Sequence, residues 1–176
     1  MNIVLVGFMG CGKTTIGKKL SRMLHNKFID TDTFFEKHNN ITIYDFFSNQ
    51  GEEKFREIER ELLIKIFNEN NNAVISTGGG TPCNYNNMEL INKNSISIYI
   101  KMSVSSLTHR LLYSLKKRPL IETFEEESEL KDYIEHTLNL REQYYCKAHH
   151  IVKGESINIE ELVQLIKPEN KPLVSN

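Results

Sequence analysis

Gly7-Phe-Met-Gly10-Cys-Gly12-Lys13-Thr14 matches G-x-x-x-x-G-K-[ST] at every fixed position, and no other stretch of the chain restricts the fold so strongly. With glycine at its usual frequency, a chance match in 176 residues is about one in two hundred. The motif requires a strand before it and a helix after it. Ile3–Val6 is a continuous apolar run, as for a strand buried on both faces, and Ile16, Leu20, Met23 and Leu24 follow at helical spacing. Glycines let consecutive backbone N–H groups converge on phosphate oxygens, and the helix N-terminus adds positive potential. Lys13 is expected to reach the β- and γ-phosphates with its side chain pointing into the ligand site, and the Thr14 hydroxyl to ligate magnesium.

The rest of the chain repeats the alternation. A short strand ends at Phe28–Ile29, just before Asp30-Thr-Asp32. Phe55, Ile58, Leu62, Leu63 and Ile66 share one stripe of a long charged helix. Ala73–Ser76 and Ile96–Ile100 read as strands, and Leu107, Leu111 and Leu115 as a helix. A helix over Tyr133–Tyr145, a brief strand at Ile151–Val152 and a helix over Ile157–Ile166 close the chain. Such alternation predicts parallel strands joined by right-handed helical crossovers, an α/β fold of three α-β-α layers. Two segments break the pattern, Thr33 to about Gly51 and Lys116 to about Glu129, and both read as excursions over the carboxyl edge of the sheet, where open sheets bind ligands. The asparagine clusters (Asn39-Asn40, Asn70 to Asn72, Asn86-Asn87) read as exposed turns.

Composition excludes more than it selects. Twenty-two basic against 23 acidic residues give a net charge of −1, which argues against a dedicated nucleic-acid or membrane-surface binder. Cys11, Cys83 and Cys146 are odd in number and unlinked by C-x-x-C, so they read as free thiols in a reducing, cytoplasmic compartment. The six histidines form no H-x-x-x-H or His/Cys cluster, so no protein-built metal site is expected. No apolar run is long enough for a membrane span, and the N-terminal strand leaves no room for a signal peptide. A guanine-specific switch protein would carry N-K-x-D, but neither Asn26-Lys27 nor Asn92-Lys93 has the aspartate. A small-molecule kinase is favoured.

Five motifs in order now resemble the shikimate kinase family: the phosphate loop, F-I-D-T-D from Phe28, F-R-E-I-E from Phe55, T-G-G-G from Thr77 and R-P-L from Arg118, with Arg141-Glu-Gln-Tyr-Tyr145 as a weaker sixth. The resemblance runs from Asn2 to about Leu165. It implies transfer of the ATP γ-phosphate to the 3-hydroxyl of shikimate with Mg2+, a step of aromatic amino-acid biosynthesis. It also implies one P-loop kinase domain over residues 1–166, with a five-stranded parallel sheet of order 2-3-1-4-5. A shikimate-binding region (about 33–61), a lid (about 113–125) and a frayed tail (167–176) complete that picture. Cys11 stands where serine or alanine is common, Thr14 where serine is, and Ile121 where leucine is usual; a second adenine-site arginine near Gly154 is not evident.

On that resemblance ATP is bound by Gly10, Cys11, Gly12, Lys13, Thr14, Thr15, Arg110 and Arg118. Shikimate is bound by Asp32, Arg56, Gly78, Gly79, Gly80 and Arg141. Lys13, Asp32 and Arg118 carry the chemistry, with Asp32 as general base or orienter of the hydroxyl. Thr14, and Asp30 through water, hold the metal. Ser76 and Thr77 are further candidates to order metal-bound water. The residues alone leave alternatives: one of Asp30 and Asp32 as a helix N-cap, Arg56 as part of a solvated ion-paired face, and Phe46 and Phe47 as core or pocket lining. The rival functions are another metabolite kinase, such as gluconate kinase, and a catalytically silent nucleotide-binding module. The partners expected are ATP and shikimate only, without nucleic acid or membrane, for a monomer.

Overall fold

The computed structural model describes residues 1–114, 124 and 126–166. Arg118, Leu115 and most of the segment expected as a lid therefore lie outside the described residues, as does the tail from residue 167.

Five parallel strands form one sheet: β1 (Asn2–Val6), β2 (Lys27–Asp30), β3 (Ala73–Ser76), β4 (Ser95–Lys101) and β5 (His150–Lys153), in the order β2-β3-β1-β4-β5. The order is the one expected. The apolar run of β1 is central because all five of its residues are buried, which only a strand covered on both faces achieves. Edge strand β5 alternates half-buried and exposed residues instead.

Helices α1 (Lys13–Met23), α2 (Thr31–Asn39), α3 (Ile43–Glu69), α4 (Asn87–Asn94), α5 (Val104–Leu112), α6 (Glu127–Tyr145) and α7 (Ile159–Ile166) pack on the sheet and its edge. Helix α1 lies so close to the sheet that a Cβ on Gly17 would meet the Phe28 ring at 2.5 Å. Met23, expected on the buried stripe, is exposed at the helix end. The main core runs from Val4, Leu5 and Ile75 through Ile98 and Ile100 to Leu130 and Ile134.

The first irregular segment is built of helix, the rest of α2 and the start of α3. Thr42 caps α3 through its hydroxyl, and Gly51 breaks that helix at φ 79, ψ 171, a conformation open essentially to glycine alone. A second apolar cluster of Phe35, Phe46, Phe55 and Leu62 seats α2 and both parts of α3 on one another. Phe35 and Phe46 meet edge to face with ring centroids 5.1 Å apart. Phe46 is thus core.

Helix α4 was not expected. Asn86 and Tyr85 before it have positive φ, and Asn87 is fully buried, donating to the Thr81 carbonyl and accepting from Arg60. This asparagine is a structural bracket rather than an exposed turn. Among the described residues no helix is long and apolar enough to cross a membrane.

Candidate active site

The phosphate loop leaves β1 at the carboxyl edge of the sheet, where the connections of β1 and β3 diverge to opposite sides, the usual ligand position in such sheets. Gly7 has φ 141, and a Cβ there would strike the Ile100 carbonyl at 2.8 Å, so β1 and β4 can only approach this closely at glycine. Gly10 and Gly12 also have positive φ. Lys13 is buried, and its Nζ donates to the Gly7 and Phe8 carbonyls at 2.8 Å each. The ammonium is therefore tied across the loop by two carbonyls, a contact that the motif alone does not lead one to expect. Cys11 is fully buried, with Sγ 3.7 Å from that ammonium. Thr15 is exposed one residue beyond Thr14.

The Thr14 hydroxyl donates to Asp30 Oδ2 at 2.9 Å, while Asp30 Oδ1 accepts from the Thr33 N–H at 3.3 Å. Asp30 is therefore the N-cap of α2, and it faces Thr14 as well. Among the described residues no three His, Cys, Asp or Glu side chains gather into a metal cage. One hydroxyl and one carboxylate suit magnesium, which keeps several waters and takes substrate phosphates as ligands.

Beyond β3, Gly78-Gly79-Gly80 brings the acceptor candidates together. A Cβ on Gly78 would lie 2.7 Å from Asp32 Oδ1. One on Gly80 would lie 2.5 Å from Arg56 Nη2, and one on Gly79 3.5 Å from Arg141 Nη1 and 3.3 Å from the Met9 N–H nitrogen. Three substrate candidates from α2, α3 and α6 thus pack onto three consecutive glycines, next to the phosphate loop. Any side chain on these glycines would occupy the space where the polar groups meet.

Arg56 is not on a solvated face. Its side chain is 13% exposed and stands over the rings of Phe55 and Phe47, 5.0 and 5.9 Å from their centroids. Phe47 is therefore half-buried beside the site. Arg56 Nη1 pairs with Glu59 at 2.9 Å, and Nε and Nη2 share Glu52 Oε1 at 3.2 and 3.0 Å. Burial alone would lower the guanidinium pKa, but Glu59 and Glu52 outweigh it and raise it above the ordinary value. Arg141 lies 5.8 Å from the Phe8 ring centroid. Both cations are thus held against aromatic faces, which fixes their planes.

Glu59, three residues after Arg56 and one helical neighbour away, is expected from the sequence to hold the guanidinium in a single orientation, and it does. It is buried, with Oε2 on Arg56 and Oε1 accepting from the Thr81 hydroxyl at 2.6 Å. The Thr81 contact, 22 residues away in sequence, is the part that spacing on one helix does not disclose. Cys83 is expected from the sequence only as a free thiol. It lies near Arg141, Arg56 and Glu59, and burial pushes its pKa up to about 11, so it is a neutral lining group. Thr77 donates its hydroxyl to the Leu5 carbonyl at 3.1 Å, and Ser76 is buried in β3. Arg110 reaches back to the Cys11 carbonyl at 3.4 Å, beside the phosphate loop.

A parallel sheet with a glycine phosphate cradle at its switch point, and a second polar pocket an arm's length away, defines a P-loop kinase. Residues 9–169 match the model of the family described as shikimate kinase. A shikimate kinase of Flavobacterium johnsoniae is 42% identical over 163 residues, covering 92% of this chain and 94% of that protein. The crystal structure of shikimate kinase from Bacteroides thetaiotaomicron superposes with a TM-score of 0.87 at 37% identity, covering 94% of this chain and 95% of that one. A shikimate kinase from Acinetobacter baumannii, solved in complex with shikimate, gives 0.79 at 31% identity, covering 94% and 89%. The chain belongs to the shikimate kinase family. It is an ATP-dependent phosphotransferase whose acceptor is the shikimate hydroxyl.

Proposed function

We propose that the glycine loop after β3 is the floor of the acceptor site. There the shikimate carboxylate lies between Arg56 and Arg141, and the 3-hydroxyl faces Asp32. The observation that carries this reading is the convergence of those three side chains, from three helices, on Gly78 to Gly80. Two guanidiniums suit a carboxylate, because each offers paired, planar donors. Asp32 orients the hydroxyl and takes its proton as the phosphoryl group moves. Phosphoryl transfer has a loose transition state, so this chain contributes chiefly position and charge.

On the ATP side, Gly10 to Thr15 cradle the phosphates through backbone N–H groups, and Lys13 places its ammonium on the β- and γ-phosphates. Arg110 borders the nucleotide, and Arg118, outside the described residues, is assigned to the lid. Thr14 and Asp30 are the residues that would hold magnesium, Asp30 through water; the ion, when bound, would neutralise charge on the phosphate oxygens. We read the enzyme as a cytoplasmic monomer binding neither nucleic acid nor membrane, a reading supported by free thiols at all three cysteines and near-zero net charge.

ADP release followed with shikimate, gluconate and other sugar acids tests the assignment. Turnover on shikimate is expected. Turnover on gluconate alone would make the chain a different metabolite kinase, and ATP binding without turnover on any acceptor would make it a silent module.

A further inference from the structure

Two tyrosines lie against each other beneath the active site. Tyr99 is in β4 and Tyr145 is the last residue of α6; their ring centroids are 5.1 Å apart, and both are buried. Their hydroxyls differ. The Tyr99 hydroxyl has no hydrogen-bond partner among the described residues. The Tyr145 hydroxyl donates to the Gly79 carbonyl at 2.5 Å.

That bond fixes more than a carbonyl. There is no cis peptide among the described residues, so the Gly79 carbonyl and the Gly80 N–H point in opposite directions across one rigid plane. Holding the carbonyl toward α6 turns the Gly80 N–H away from α6. The two neighbouring amides are not equivalent. The Gly78 N–H is spent on the Thr31 hydroxyl at 3.0 Å, whereas the Gly80 N–H has no acceptor among the described residues although Gly80 is buried. A buried amide without a partner fits a site that a ligand oxygen completes. Glycine offers no side-chain packing to hold such a plane, so an external tie is needed.

We propose that Tyr145 is a positioning residue for the acceptor: its hydroxyl sets the Gly79–Gly80 peptide plane so that the Gly80 N–H is presented to an oxygen of bound shikimate. The proposal rests on the reading of Gly78 to Gly80 as the acceptor's backbone contact. Tyr145 lies four residues beyond Arg141, on the same face of α6, so one helix end supplies both a carboxylate ligand and the tie on the loop. Burial pushes the phenol above its ordinary pKa, so it remains a donor through neutral pH.

Tyr145→Phe removes the one hydroxyl, and Tyr99→Phe, which removes a hydroxyl without a partner from the adjoining ring, is the control. The Tyr145→Phe enzyme should show a shikimate KM raised about fivefold or more, with kcat and the ATP KM within about twofold of wild type. Tyr99→Phe should leave all three unchanged. Amide hydrogen exchange gives an independent readout: saturating shikimate should slow exchange at Gly80 in the wild type, and much less in Tyr145→Phe. An unchanged shikimate KM in folded Tyr145→Phe, or equal losses in the two variants, overturns the role. Protection of Gly80 beside an unchanged KM removes the tyrosine proposal alone, whereas no protection of Gly80 in the wild type removes the glycine-loop reading with it. If Tyr145→Phe does not fold, absence of Gly80 protection by shikimate in the wild type still overturns the proposal.

Discussion

Arg56 commits Nε, Nη1 and Nη2 to two carboxylates of its own helix, leaving one N–H on each Nη nitrogen without a partner among the described residues. Glu59 is the permanent partner, since it is buried and also bound by Thr81. Glu52 is 65% exposed and takes the Nε–Nη2 edge, the edge best suited to a bidentate carboxylate. In the proposed acceptor site it stands where the substrate carboxylate would bind, and its exposure leaves the pair weak enough to be displaced. Glu52→Gln should lower the shikimate KM about two- to threefold, whereas Arg56→Lys should raise it at least about tenfold, because lysine cannot reproduce the planar fork. Steady-state kinetics at fixed ATP checks both, and a higher KM in Glu52→Gln would show that Glu52 helps to hold the acceptor. Lys13 has two duties as well. Lys13→Ala should cost more than about a hundredfold in kcat and also about 1–3 kcal/mol of stability, because the Gly7 and Phe8 carbonyls lose their donor. Turnover assays and denaturant unfolding separate the two effects; full activity would remove Lys13 from the chemistry.

At the scale of elements, the sequence disclosed what periodicity encodes. Apolar runs marked all five strands to within a residue at either end, the short β2 and β5 each from its two central residues. Helix α4 escaped because Asn87–Asn94 is brief, with apolar residues only at Met88, Leu90 and Ile91, and its buried asparagine imitates a turn signal. The residues Thr33 to Gly51 escaped for the opposite reason: α2 and the first half of α3 bury their phenylalanines on each other, not on the sheet, so their pattern lacks the sheet-facing stripe. Asp30 shows how roles superpose, one oxygen capping α2 and the other facing Thr14. Gly51 supplies the element-scale prediction. No atom lies within 4 Å of a Cβ placed there, so Gly51→Ala creates no clash, and its whole cost is the backbone at φ 79, ψ 171. That cost should be about 1–3 kcal/mol, read as a fall of several degrees in Tm. An unchanged Tm would mean that α3 can run straight through this position.

For the whole molecule, the division of labour follows the topology. The sheet places the phosphate loop at its switch point, and the extension of α2 and α3 carries Asp32 and Arg56 across the same edge, while Arg141 arrives on α6. The motifs identified these residues one by one, but their meeting on three glycines depends on sheet order and on the rotation of α3, which Phe55 and Glu59 fix through long-range contacts that no local pattern encodes. In the proposed site two arginines hold the acceptor by its carboxylate. The wild-type enzyme should be compared on shikimate and on its methyl ester, which keeps the ring and hydroxyls and removes the charge. The account predicts a KM at least about tenfold higher for the ester, with the ATP KM unchanged. Equal KM values for acid and ester would contradict it.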